Sequence, residues 1–363
     1  MQKRLVRKCA QQVCGSVLAV VILATASCNN STGTGVGTTS HRGAVQLEGA
    51  GSTLVLIMMQ KWKNVYDQEH GVEVNYQDIG SGGGVRKLVE KTVDFGCSDA
   101  PLNEQQEKQT MEAGGEVVHV PLVMGGVVPC YNLPSVTTPL KFSGEVLARI
   151  FLGEIKKWND PAIAGLNQDV ALPDLGIAVV HRSEGSGTTF VWTDFLSKVS
   201  PLWQEKVGAA TSVNWPCGIG LPANAGVAGQ VKRTEGAIGY VELIYALKND
   251  IKFGSVRNAA GHDVTASLKT ITAAAEGMLQ NIPADLKYSL TNAAGDDSYP
   301  IACTVWAITY VNQPKDKRQP LVDFLHWITH DGQKYAEELQ YAPLPPKLIE
   351  RVDGKLALIH DAP

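Results

Sequence analysis

From residue 45 onward, short β-branched runs alternate with stretches whose apolar residues recur every three or four positions. Val72–Tyr76, Val93–Cys97, Val117–Val123, Val127–Tyr131, Ile177–His181, Ala237–Val241 and Ile301–Tyr310 read as strands, because β-branched and aromatic residues suit a buried, pleated ribbon. Between them, Leu54, Ile57, Met58, Trp62 and Val65 share one helical face, and Val146, Leu147, Ile150 and Phe151 form a second. Trp192, Phe195, Leu196 and Val199 form a third, and Leu321, Phe324, Leu325 and Ile328 a fourth. Stripes of this spacing pack against a sheet, so Met58, Met59 and Trp62 are read as core and not as a ligand box. Strand–helix alternation predicts an α/β fold with largely parallel sheets. No fixed-period repeat occurs, which excludes solenoids and propellers.

The first 28 residues follow another pattern. Lys3, Arg4, Arg7 and Lys8 precede the apolar run Val17–Ala24, and small residues follow. That is the layout of a signal peptide. The run falls short of the roughly 20 apolar residues that a bilayer span needs, and no later stretch approaches that length. Thr25-Ala26-Ser27-Cys28 resembles a lipoprotein cleavage box, although Thr25 stands where leucine is usual, and Ala24-Thr25-Ala26 also fits ordinary A-x-A cleavage. The lipoprotein reading is preferred, with Cys28 lipidated, because residues 29–45 form a polar Gly/Thr linker suited to a tether. An exported protein of the periplasm, or of the outer face of the cell membrane, is expected.

Of the 363 residues, 44% are hydrophobic and 19% charged, enough for a packed two-lobed body and incompatible with wholesale disorder. The 36 glycines have no collagen-like period and point to tight turns and close backbone approaches. The net charge is −4, but the four bases before residue 28 face no acid there, so residues 28–363 carry 28 bases against 36 acids. No basic surplus remains for a nucleic-acid backbone. Cys9 and Cys14 belong to the signal. Cys97, Cys130, Cys217 and Cys303 include no C-x-x-C pair, and no histidine pair is expected to form a metal site. Export permits disulfides, four cysteines allow three pairings, and free thiols remain an equal alternative.

Three segments share one arrangement of strand, then Gly with Ser or Thr, then helix. Gly49-Ala50-Gly51-Ser52-Thr53 enters a helix at Leu54; Ile79-Gly80-Ser81-Gly82-Gly83-Gly84 enters Val85–Val89; Arg182-Ser183-Glu184-Gly185-Ser186-Gly187-Thr188-Thr189 enters Phe190. A helix N-terminus presents unpaired N–H groups and the positive end of the dipole, and therefore attracts anions. Glycine lets the backbone come close, and hydroxyls add neutral donors. One such loop is ordinary capping chemistry. Three in one α/β chain, with Arg182 in the third, make an oxyanion held by several helix N-termini the expected chemistry. G-x-x-x-x-G-K-[ST] and H-E-x-x-H are absent, and no G-x-S-x-G surrounds Ser52, Ser81 or Ser186. His119 and His181 are read as ordinary surface or core histidines.

Tyr76–Val85, Val93–Leu102, Gly153–Pro161, Val179–Phe190 and Gly236–Glu242 closely resemble, in order, segments of the phosphate-binding proteins of bacterial phosphate ABC transporters. The resemblance covers about residues 46 to 350. It implies a type II periplasmic binding-protein fold, with two α/β lobes joined by two crossing hinge segments and a ligand cleft between them. Residues 46–123 with 299–363 would form lobe I and residues 124–298 lobe II. Carried over by position, the phosphate contacts are Thr53, Leu54 through its backbone N–H, Ser81, Asp99, Arg182, Ser186, Gly187 and Thr188. Glu184 would pair with Arg182 from behind the site, where many relatives carry Asp. Leu54-Val55 replaces the usual Phe-Pro.

The resemblance implies high-affinity phosphate binding and delivery to a membrane permease, by a monomer without catalytic residues, cofactor or metal. Asp99 would accept the proton that phosphate keeps at neutral pH and repel sulfate, which has none. Three alternatives stand beside this reading. One is another oxyanion, such as sulfate, molybdate or arsenate. Another is a secreted phosphoryl-transfer enzyme with Ser81 or Ser186 as nucleophile. The third is a surface adhesin or sensor.

Overall fold

A computed structural model describes residues 46–363. The expected signal peptide at 1–28, the linker at 29–45 and the lipid attachment at Cys28 lie outside the described residues. The strands, in chain order, are β1 (Gln46–Gly51), β2 (Glu73–Gln77), β3 (Phe95–Ser98), β4 (Val117–Tyr131), β5 (Lys141–Phe142), β6 (Ala178–Arg182) and β7 (Ile219–Leu221). They continue with β8 (Ala237–Glu242), β9 (Lys252–Phe253), β10 (Ser255–Arg257), β11 (Asp263–Val264), β12 (Ala302–Tyr310), β13 (Asn312–Gln313) and β14 (His360–Asp361).

The main sheet runs β2-β1-β3-β12-β4-β8-β6-β7, with β9 also beside β4. Its two flanks, β2-β1-β3 and β8-β6-β7, are parallel. Its centre is antiparallel at β3–β12, β12–β4 and β4–β8. The expectation of largely parallel sheets is thus corrected. The chain crosses between flanks along β4 and returns along β12, so these two strands oppose each other. Both are buried runs, and an apolar run reads alike in either direction.

The predicted strands Val117–Val123 and Val127–Tyr131 are one strand, continuous through Met124-Gly125-Gly126. Val117–Gly126 pairs with β12 and Val127–Tyr131 with β8, so β4 changes partner between Gly126 and Val127. Strand β1 lacks β-branched residues, which hid it from the periodicity. Small residues are required there: a Cβ on Gly49 would stand 2.3 Å from the Phe95 ring, and one on Gly51 2.1 Å from the Cys97 carbonyl oxygen.

Apart from Leu54, which precedes the first of them, the four predicted apolar faces fall on the helices Leu56–His70, Gly144–Phe151, Gly187–Val199 and Lys315–Thr329. Two carry hydroxyl N-caps: Ser143 accepts from Val146 N and Ser186 from Thr189 N, both at 3.2 Å. The tryptophans Trp62, Trp158, Trp192, Trp203 and Trp306 are fully buried. Trp192 stacks on Tyr240 at 5.1 Å and Trp215 on His181 at 4.6 Å, forming an aromatic wall behind β6 and β8. Among the described residues no helix is long and apolar enough to cross a membrane.

The question of the cysteines is settled for the described residues: Cys97, Cys130, Cys217 and Cys303 are free. Burial pushes the Cys97 and Cys130 thiols up to about 12. Cys217 alone of the four is partly accessible. Of these four, Cys217 is expected to be the one that reacts with a thiol reagent in the folded chain, and the other three only after denaturation. Mass mapping of the labelled peptides checks this, and rapid native labelling at Cys97 would contradict it.

Candidate functional site

The parallel flanks carry the loops of interest to the C-terminal ends of their strands. After β1, Ser52-Thr53-Leu54-Val55 turns into a helix that begins at Leu56, two residues later than the pattern predicts. After β2 the chain reaches Gly80, whose φ of 80° favours glycine, and Ser81 opens the helix Ser81–Val89. Strand β3 delivers Asp99 directly, and β6 delivers Arg182 ahead of the helix that starts at Gly187.

Asp99 is the centre of the cluster. Ser52 Oγ donates to Asp99 Oδ1, and Ser52 Oγ in turn accepts from Leu54 N at 3.0 Å and Val55 N at 3.4 Å. Thr188 Oγ1 donates to Asp99 Oδ2 at 3.4 Å while accepting from Arg182 Nη1 and Asn224 Nδ2, each at 3.3 Å. The single proton and both lone pairs of the Thr188 hydroxyl are therefore committed, and its orientation is fixed. Asp99 N donates to Ser81 Oγ at 3.3 Å. Thr53 Oγ1 accepts from Asn224 Nδ2 at 3.1 Å, which leaves the Thr53 proton for donation elsewhere.

The two flanks meet at this point. Gly82 N donates to Gly185 O at 3.0 Å. A Cβ on Gly187 would lie 2.5 Å from Ser81 Oγ and 2.6 Å from both Cβ and Oδ2 of Asp99, so only glycine admits the approach. Three tyrosines brace the first loop through its carbonyls. Tyr76 donates to Ser52 O and Tyr245 to Thr53 O, both at 2.8 Å, and Tyr341 donates to Leu54 O at 2.6 Å.

Charge in the cluster is closely compensated. Arg182 is buried; its Nε donates to Glu184 Oε1 at 3.0 Å and its second terminal nitrogen reaches the same oxygen. Ala223 N also donates to Glu184 Oε1, at 3.0 Å. Ala223 sits at φ 59°, a left-handed conformation that costs a non-glycine residue energy and that the Glu184 contact helps hold. Burial pushes Glu184 up, but Arg182 outweighs it and the carboxyl ends below its ordinary range. Asp99 goes the other way: burial lifts it from 3.8 to about 6, against the Ser52 hydrogen bond, the Arg182 charge and the Thr188 hydrogen bond. Glu242, fully buried at the end of β8, is driven up by burial; its Oε2 accepts from Ile244 N at 3.0 Å and its Oε1 has no partner.

All the sequence-predicted residues thus lie on these loops, with graded proximity. Asp99, Thr188, Arg182 and Glu184 form one bonded chain, and Ser81 and Gly187 flank Asp99. Thr53 joins through Asn224. The Leu54 N–H is engaged by Ser52 Oγ, and Ser186 Oγ caps its helix. Ser52 and Asn224 were not among the predicted site residues. Ser52 stood in a quoted loop beside Thr53 and could have been found there; Asn224 follows Pro222 and Ala223 in a segment without any chemical signature.

One buried guanidinium, several hydroxyls and two helix N-termini on a pair of parallel flanks joined by crossing strands define a solute-binding protein of the periplasmic type. A family described as the PBP superfamily domain matches residues 35–337. The phosphate-binding protein PstS of Pasteurella multocida is 43% identical over 314 residues, covering 86% of this chain and 90% of that protein. The chain belongs to the phosphate-binding protein PstS family. A solved ABC-type phosphate transport receptor from Vibrio cholerae has a TM-score of 0.54 at 19% identity, covering 82% of this chain and all of that one. A high affinity periplasmic phosphate-binding protein solved with phosphate has a TM-score of 0.68 at 21% identity, covering 85% and 93%. These two structures share the fold.

Proposed function

We propose that this chain binds inorganic phosphate in the cleft around Asp99 and Arg182 and delivers it to the permease of a phosphate ABC transporter. One observation carries the reading: a buried carboxylate lies within one bonded chain of hydroxyls and a guanidinium. A fully deprotonated oxyanion would face that carboxylate unpaired, whereas phosphate retains a proton to donate to it. Thr53 and Ser81 hydroxyls, the N–H groups of Gly187 and Thr188, which have no intrahelical acceptor, and the Arg182 fork supply the opposite half of the shell.

The lobes are proposed as residues 46–123 with 299–363, and 124–298. The change of partner in β4 between Gly126 and Val127, and the start of β12 at Ala302, support crossings near those limits. Contacts from both sides of the cleft would select the closed state. Export, a lipid anchor at Cys28 and a monomer that docks and leaves complete the proposal. A phosphoryl-transfer role is disfavoured because Ser81 Oγ and Ser186 Oγ each accept from a backbone N–H and neither is bonded to a base.

Calorimetry tests the reading on chain unfolded to strip bound anion and then refolded. One-to-one phosphate binding with no heat from sulfate is expected; a folded chain silent toward phosphate would overturn it. Arsenate, of like charge and protonation, is expected to compete. Gly187→Ala is expected to weaken phosphate binding about tenfold or more, because its methyl would wedge between Ser81 and Asp99 on closure. Its thermal unfolding should stay near wild type, since an open cleft has room for the methyl.

A further inference from the structure

On the helix Lys315–Thr329 and the residue that follows it, His326 and His330 stand four apart and stack their rings at 3.9 Å, 11° from coplanar. Asp353, from the helix Pro346–Leu356, places Oδ1 3.5 Å from His330 Nε2. One ligand atom from each of the three lies within 4.8 Å of the others. We propose that these three side chains form a binding site for a divalent transition ion of borderline softness, with Zn2+ as its representative.

The tautomer supports ligation. His330 Nδ1 is 2.9 Å from His326 O, and a carbonyl only accepts, so Nδ1 carries the proton. Nε2 is then left with its in-plane lone pair free beside Asp353 Oδ1. In zinc sites a ligating histidine is usually held at its other nitrogen by a carboxylate, a backbone carbonyl or water, which fixes the ring's orientation. Donors on a tetrahedral Zn2+, with bonds of about 2.0–2.2 Å, stand roughly 3.4 Å apart. Rotation of the exposed His326 and Asp353 side chains covers the remaining gap. Two imidazoles and one carboxylate leave a fourth position for water and suit Zn2+, Co2+ or Ni2+ better than Mg2+ or Ca2+. The ion would clamp the end of one helix to its neighbour. The spacing His326-x-x-x-His330 is plain in the sequence, and the expectation that no histidine pair forms a metal site passed over it.

The test is a Zn2+ titration of the full chain, freed of metal by a chelator, against a chromophoric competitor. Co2+ is used in parallel as a spectroscopic probe. One ion per chain is expected, with affinity lowered at least about tenfold in His326→Ala and in His330→Ala, and visible Co2+ bands lost in both. Asp353→Asn should weaken binding less, and His262→Ala, distant in sequence, should leave it unchanged. Zn2+ at a hundred times its dissociation constant should raise Tm by about 5 °C in wild type only. Absence of stoichiometric Zn2+ binding, or binding indifferent to His326 and His330, would overturn the proposal. Because His326 is exposed, its variant is expected to fold, and phosphate binding reports that fold independently.

Discussion

Asp99→Asn is expected to lower phosphate affinity roughly ten- to a hundredfold, to admit sulfate, and at the same time to make the ligand-free chain more stable near neutral pH. The amide cannot accept the proton of phosphate as a carboxylate does, and it no longer repels an anion that has no proton to give. The stability gain follows from burial. The folded carboxyl titrates at about 6 against an ordinary 3.8, so the protonated form is the one the fold favours. That contribution is present in full below the unfolded value and is lost as pH rises through about 6; about two units correspond to about 3 kcal/mol. Asparagine does not incur this loss, but it forfeits part of the hydrogen bonding. Its amide nitrogen would face Thr188 Oγ1, whose lone pairs already serve Arg182 and Asn224, a mismatch of about 1 kcal/mol. Thermal unfolding of the ligand-free proteins should therefore place the variant about 1 kcal/mol behind wild type below pH about 4, where only the mismatch remains. The variant should lead by about 2 kcal/mol above pH about 6. Parallel curves at every pH, or undiminished phosphate binding, would remove Asp99 from the centre of the site.

A residue that costs stability in the empty protein and is needed for the ligand is what a binding cleft predicts, and it explains which features the sequence disclosed. The Gly–Ser/Thr loops were legible because helix caps use few residue types and the family keeps their order. Strands such as Ala237–Val241 and Ile301–Tyr310 were legible because β-branched runs have little other use. Strand β1 was not, because packing Gly49 under Phe95 requires the absence of the side chains by which strands are recognised. Strand direction was not legible either, since β4 and β12 are buried on both faces. Asn224 was beyond reach for a different reason. Its role comes from bridging Thr53 and Thr188, which lie far from it in sequence, and only the assembled sheet brings those hydroxyls together.

Arg182→Met is expected to abolish measurable phosphate binding and to destabilise the chain by about 2–3 kcal/mol. Removing one partner of a buried ion pair leaves the other charge unanswered, commonly at a cost of about 3–5 kcal/mol. Here the remaining partner, Glu184, keeps the Ala223 N–H as a donor to its Oε1, which recovers part of that cost. The two effects can be separated. In Arg182→Met combined with Glu184→Gln, the amide oxygen still accepts from Ala223 N and holds the left-handed turn, and no carboxylate is stranded. Most of the lost stability should return in the double variant while phosphate binding stays absent. Calorimetry and chemical unfolding on the four members of the cycle decide the matter. If the double variant regained phosphate affinity, or if Arg182→Met alone bound within tenfold of wild type, the guanidinium would be a scaffold for Glu184 and the anion would be held by helix N-termini and hydroxyls. If the cycle behaves as expected, Glu184 is what makes a buried Arg182 tolerable before phosphate arrives, and phosphate competes for a guanidinium that is already oriented.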